Sequence, residues 1–224
     1  SLYPHLIMQY NISPETLIKD DGHPWNVKKL MDGEFDGQES LKETEKTITP
    51  NGVYFRTDVK GFLPEIMEKM YDDRVIVKKK MIIAQQEMEK TKDHADRFTL
   101  YKKIAGYHTK QINLKISLNS AYGAIGNQYF RFYDIRIAEA VTYGGQLSIR
   151  WIEIALNKYL NELLETEDVD YVLASDTDSV YITFESLVEK LKPKDPVKFL
   201  DTICREKFET FIDQKYQDLA DYTN

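Results

Sequence analysis

Residues Tyr171 to Phe184 read YVLASDTDSVYITF: a short apolar run, a polar turn-prone segment from Ser175 to Ser179, and a second run that is β-branched and aromatic. Such side chains suit a pleated surface, so the pattern predicts a strand, a tight turn and a strand, packed as a buried hairpin. Asp176 and Asp178 fall in the turn. Two carboxylates held close together repel, and one takes up a proton unless a cation neutralises the pair. A divalent metal held by Asp176 and Asp178 is one reading. The other is an ordinary turn, in which Asp, Thr and Ser side chains hydrogen-bond nearby backbone amides. These residues alone leave both open.

Helical periodicity flanks the hairpin. A long helical pattern runs from about Arg131 to Leu164, and a final helix is predicted from about Pro196 to Tyr222. Further upstream, Pro64 stands at a favourable first helical position, and helical register continues to about Gly123. Ile66, Met70, Val77, Met81, Ala84 and Met88 recur as a core-facing stripe. After a polar break near 90–97, Leu100, Ile104, Leu114 and Leu118 continue on a second helix, giving an antiparallel helical hairpin that projects from the body. Upstream again, Asn51-Gly52 and Val53-Tyr54-Phe55 predict a second β-hairpin, preceded by a polar stretch over 19–49. The expected fold class is α+β: helices packed on a small antiparallel sheet, with the helical hairpin inserted. The corresponding boundaries are 1–63, 64–123 and 124–224.

A net charge of −7 over 224 residues conceals an asymmetry. Residues 74–115 hold 11 Lys and Arg against 4 Asp and Glu, so a basic element sits in an acidic body. Such an element can meet phosphates while the body supplies carboxylates, although a charge run also reads as a solvated helix face. No run approaches the roughly 20 apolar residues of a membrane span, and no secretory pattern opens the chain. The single cysteine, Cys204, excludes an internal disulfide and fits a reducing compartment; it reads as a packed helix residue rather than a reactive thiol.

Spacing gives the basic hairpin chemical content. Arg74 and Lys78 stand four apart, one above the other on one helix face. Lys115, Asn119 and Tyr122 stand at i, i+4 and i+7, again one face, on the second helix. Stacked cations opposite a Lys-Asn-Tyr stripe can grip a polyphosphate, with Arg as a planar fork and Lys as a compact charge. Each residue also has a plain reading: a surface cation is usually solvated, and Tyr122 can simply pack at a helix end before Gly123.

Together these residues resemble one family. Ser1-Leu2-Tyr3-Pro4 is similar to the end of motif A of family B DNA polymerases, Lys115 to Gly123 (KISLNSAYG) to motif B, and Asp176-Thr177-Asp178-Ser179 to motif C, in the family's order and separation. QYNISPET at Gln9 to Thr16, YGAIGNQYFRFYD at Tyr122 to Asp134 and FLDTICREKFETFID at Phe199 to Asp213 resemble the replicative polymerases of T-even-type phages. The resemblance covers nearly the whole chain. It implies a polymerase palm interrupted by a helical fingers hairpin, and a DNA-directed DNA polymerase that adds deoxynucleotides to a primer 3′ end. It also implies two Mg²⁺ ions, with Asp178 as ligand to both and Asp176 in a lesser or outer role. Ser1, Leu2 and Tyr3 would cradle the triphosphate, Tyr3 also serving as steric gate against ribose. Arg74, Lys78 and Lys115 would bind the triphosphate with Asn119 in support, Lys115 as candidate general acid. Tyr122 would lie against the nascent base pair.

The implied partners are primer-template DNA, deoxynucleoside triphosphates, the exonuclease, thumb and upstream motif A segments of a larger enzyme, and a sliding clamp. No membrane is implied, and the expected location is cytoplasmic, in a bacterial host if phage-encoded. Departures accompany the resemblance. The family's metal-binding Asp of motif A precedes the Ser-Leu-Tyr-Pro stretch by three residues, so this chain alone is expected to be inactive. Ala174-Ser175 stands where Tyr-Gly is frequent, His5 stands where Ser is frequent, and the fingers look short. Two other readings stay open: a non-catalytic docking segment of a naturally split polymerase, and a metal-dependent nuclease.

Overall fold

The computed structural model describes residues 2–19, 25–34, 41 and 43–223. In chain order these form α1 (Leu2–Gln9), α2 (Val27–Met31), β1 (Lys46–Ile48), β2 (Tyr54–Arg56), α3 (Phe62–Lys90), α4 (His94–Ile125), α5 (Ile135–Leu164), β3 (Val172–Asp176), β4 (Ser179–Ile182), α6 (Glu185–Leu191) and α7 (Pro196–Ile203). A single π turn, Cys204–Phe208, then joins α7 to α8 (Glu209–Thr223). The fold is α+β and rich in helix.

Helix α5 is the spine, 30 residues and about 45 Å long. Asp134 caps it, its carboxylate accepting from the Arg136 backbone N–H at 3.0 Å and from the Arg136 guanidinium at 2.7 and 3.0 Å. In its first half Ile137, Ala138, Ala140, Val141, Gly144, Gly145, Leu147 and Ser148 are buried, because elements pack on several sides. Farther on, burial narrows to Ile152, Leu156, Leu160 and Leu164, one stripe at fours. Gly144 and Gly145 let α1 lie close: a Cβ on Gly145 would stand 3.2 Å from Leu2 Cδ2, and one on Gly144 3.4 Å from Leu6 Cδ2.

Two separate antiparallel pairs, β1–β2 and β3–β4, replace the single small sheet expected from sequence. They serve different parts of the core: Phe55 of β2 packs with α1, α3 and the start of α5, whereas Val180 and Ile182 of β4 pack against the second half of α5. The predicted turn between β1 and β2 is present, with Gly52 in the left-handed region (φ 79°) and its N–H donating to the Thr49 carbonyl at 2.8 Å. Asn51 Nδ2 donates to the Arg136 carbonyl at 3.0 Å, fixing this hairpin to the start of α5.

The helical hairpin expected over 64–123 is α3 and α4, running from Phe62 to Ile125 with only residues 91–93 between them. Asp93 caps α4, accepting from the Ala95 and Asp96 amides at 2.9 Å. Arg97 Nη1 donates back to the carbonyls of Met88 and Thr91, at 2.9 and 3.1 Å. The expected stripe holds at Val77 and Ala84, which are buried, but Ile66 is exposed and Met67 is buried in its place. The reason is a change of partner: near its start α3 meets α1, and beyond that it packs against α4.

The base of α3 is clasped by residues just after α1. Asn11, itself left-handed (φ 51°), donates to the carbonyls of Arg56 and Val59 at 2.7 and 2.8 Å and accepts from the Gly61 N–H at 2.9 Å. Glu15 Oε1 accepts from the Phe62 N–H at 2.5 Å, and Glu15 Oε2 from the Ser13 hydroxyl at 2.6 Å. A side chain on Gly61 would place its Cβ 2.5 Å from Ser13 Cβ, so this approach requires glycine. The stretch QYNISPET is therefore the fastening between α1 and the helical hairpin.

Candidate active site

The acidic hairpin forms as expected in outline. Asp176 and Ser179 are paired across a two-residue turn, Thr177-Asp178. Thr177 is β-branched yet left-handed (φ 53°), an unfavourable backbone state held beside the two carboxylates. Its hydroxyl donates to Asp176 Oδ1 at 3.0 Å. The hairpin is not buried, however: Leu173 is 71% and Tyr181 59% exposed. With two strands in this sheet among the described residues and a register irregularity at Leu173, one face rests on α5 and the other is open.

Across from this turn stand α1 and the base of the helical hairpin. One cleft of about 510 Å³ is lined by Leu2 and Tyr3 of α1, Arg74 of α3, Lys115 and Asn119 of α4, and residues 176–179. Folding thus gathers side chains from the beginning, middle and end of the chain, with two cations opposite two carboxylates. Arg74 Nε is buried without a hydrogen-bond partner. A buried donor left so costs about 1–3 kcal/mol.

Two of the singled-out residues stand back from the cleft. Lys78 lies one turn farther along α3, exposed to solvent, and does not line it. Tyr122 instead backs Tyr3, their rings stacked with centroids 4.5 Å apart and planes at 28°. Tyr122 bonds through its hydroxyl to Thr142 Oγ1 at 2.8 Å, and that hydroxyl in turn reaches the Ala138 carbonyl at 3.0 Å. Ser1 lies outside the described residues.

Sequence reasoning missed four neighbours. Thr177 and Ser179 line the cleft, and their place in the Asp-Thr-Asp-Ser stretch was signal enough to include them. Thr142 carries no mark beyond its position on α5. Tyr216 of α8 comes near the turn: burial, and then the Asp178 carboxylate, push its phenol up. Only the packing of the last helix reveals it. Away from the site, burial raises the Cys204 thiol and Asp201 and Glu209 add to the effect, as expected of an unreactive cysteine.

As metal donors the turn offers Asp176 and Asp178; among the described residues no three His, Cys, Asp or Glu side chains are grouped to hold an ion. Hard oxygen donors few in number suit Mg²⁺, which keeps waters and substrate phosphates as its remaining ligands.

In this α+β fold a basic helical hairpin and an acidic β-turn line one cleft, and the chain belongs to DNA polymerase family B, whose sequence model matches residues 1–193. Its likeness is to the T4 type. The DNA-directed DNA polymerases of Enterobacteria phage T4 and Escherichia phage RB69 are each 32% identical to it over the whole chain, which spans 29% of either relative. A solved family B DNA polymerase from the archaeon Pyrobaculum calidifontis shares the fold, with a TM-score of 0.50 at 21% identity over 93% of this chain and 21% of that one. This chain therefore spans under a third of the length of the curated relatives it matches. Among the described residues, no helix is long and apolar enough to cross a membrane.

Proposed function

We propose that this chain is the palm and fingers segment of a DNA-directed DNA polymerase, with the palm at 1–63 and 124–224 and the fingers at 64–123, and that its cleft binds the incoming deoxynucleoside triphosphate. The observation that carries this reading is the single cleft joining Tyr3, Arg74, Lys115, Asn119, Asp176 and Asp178. Arg74 and Lys115, which line the cleft, engage the phosphates, and Lys78 joins them if the hairpin swings inward. Lys115 gives a proton to the departing pyrophosphate. Tyr3, backed by Tyr122, packs under the sugar and excludes a 2′-hydroxyl by contact, since a ring there leaves no room for it.

Asp178, with Asp176 beside it, would hold two divalent ions, which when bound lower the charge cost of 3′-hydroxyl attack and pyrophosphate departure. The turn supplies two carboxylates, and a further one from elsewhere in the assembled enzyme completes the set; primer and template, thumb and exonuclease segments and a sliding clamp are the other partners in this reading. The chain alone is accordingly inactive in extension, and metal-dependent primer extension by the pure chain would contradict this.

Nucleotide titration tests the site. Lys115→Ala should weaken triphosphate binding roughly tenfold or more, as for loss of a charge-assisted contact, while Lys103→Ala, on another face of α4, should not. Equal effects would mean that the wrong helix face has been assigned.

A further inference from the structure

The helical hairpin extends well beyond the cleft, and its surface there is unusual in charge. Segments 74–86 of α3 and 97–115 of α4 hold nine Lys and Arg and no Asp or Glu. Only Arg74, Lys78 and Lys115 of these are used by the proposed nucleotide site. Tyr101, His108, Lys115 and Tyr122 recur every seven residues, so the face of α4 that presents Lys115 continues outward through His108 to Tyr101. Fourteen residues of helix place Tyr101 about 21 Å beyond Lys115.

Large apolar side chains lie open at that outer end. Phe98 is 57%, Tyr101 63% and Ile83 62% exposed. Lys102 Nζ sits 4.4 Å from the centroid of the Phe98 ring, so a cation and a ring are already held together. Exposed rings flanked by cations complement a chain that carries both phosphates and unpaired bases; the four acids of residues 74–115, Glu87, Glu89, Asp93 and Asp96, are confined to the tip of the hairpin between the two basic segments. A duplex would offer phosphates but keep its base faces stacked.

We propose that the outer half of the helical hairpin is a single-stranded DNA-binding surface, with Phe98 and Tyr101 as base-stacking platforms and the flanking lysines as phosphate partners. The surface is distinct from the nucleotide cleft and does not depend on nucleotidyl transfer. It assigns the hairpin a second task, holding an unpaired strand beside the site.

Fluorescence anisotropy of a short labelled oligothymidylate with the full 224-residue chain tests this, alongside a duplex of equal length. The Phe98→Ala/Tyr101→Ala variant should bind the single strand at least tenfold more weakly and leave the slope of affinity against salt unchanged, because stacking is lost and charge is not. Lys102→Ala/Lys103→Ala should flatten that slope by about 1.4, from the loss of two phosphate contacts on a single strand. Triphosphate binding should be unaltered in both, whereas Lys115→Ala should lose nucleotide and keep the oligonucleotide, so failure of one reading leaves the other standing. Single-strand affinity unaffected by loss of the rings, or an equal loss for duplex and single strand, would overturn the proposal. So would self-association of the chain that disappears in the ring variant while DNA binding does not.

Discussion

The Tyr3 ring lies on that of Tyr122, 4.5 Å between centroids, and Tyr122 is tethered through Thr142 to the spine helix. The residue proposed to sense the sugar is therefore supported from behind by a ring whose own position is fixed by a hydrogen bond. Tyr3→Ala should reduce the preference of the chain for deoxynucleoside over ribonucleoside triphosphates. Thr142→Val, which leaves the Tyr122 hydroxyl without this partner, should move the same ratio in the same direction but less. Parallel titrations with both nucleotides measure it, and an unchanged ratio in Tyr3→Ala removes Tyr3 from the gate.

Arg74 should show function and stability in opposition. Its buried, unpartnered Nε is a cost to the fold, whereas its positive charge beside the cleft is an asset once a phosphate arrives. Arg74→Met should hold or raise stability, by up to about 1 kcal/mol, while weakening triphosphate binding at least tenfold. Thermal melting and nucleotide titration of one preparation give both numbers.

The fastening of the helical hairpin predicts a sensitive glycine far from any chemistry. Gly61→Ala forces a Cβ to 2.5 Å from Ser13 Cβ and displaces the N–H that Asn11 accepts. It should destabilise the chain by about 1–3 kcal/mol in denaturant melts, whereas Gly106→Ala, with nothing within 4 Å of the new Cβ, should not.

Acid should act on the spine helix through Asp134. The Arg136 guanidinium, aided by the Arg136 amide, holds this carboxyl below the usual carboxylate range despite partial burial. A depressed folded value stabilises the fold while the group is ionised. Its contribution is intact above about pH 4, the unfolded carboxylate value, and is lost as pH falls through the lower folded value. Asp134→Asn, which can still cap, should flatten this acid limb, and Asp134→Ala should also cost about 1 kcal/mol at neutral pH. Melting temperatures across acid pH distinguish the two.

Local pattern made much of this structure legible. The polar segment between two β-forming runs placed the acidic turn, and fours and sevens placed Arg74, Lys115 and Asn119 on inward faces that the fold does bring to one cleft. What sequence pattern could not supply was which neighbour each face would meet. Ile66 and Met67 are equally apolar, and only the presence of α1 decides that Met67 is buried. Leu173 and Tyr181 look like core residues and stand exposed because the hairpin has no third strand beside it among the described residues. Thr142 and Tyr216 are ordinary helix residues until tertiary packing sets one against Tyr122 and the other near Asp178. Lys78 shares a face with Arg74 but sits a turn beyond the cleft, a distance that face assignment alone does not measure.

In the proposed site the acidic turn and the basic hairpin base act on one ligand, a metal-bound nucleotide. Calorimetric titration of a deoxynucleoside triphosphate, with and without Mg²⁺, into the wild-type chain, Lys115→Ala and Asp178→Asn tests it most directly. Mg²⁺ should strengthen binding to wild type, Lys115→Ala should lower affinity but keep the Mg²⁺ dependence, and Asp178→Asn should lose the dependence. Undiminished Mg²⁺ dependence in Asp178→Asn, with affinity equal to wild type, would contradict it.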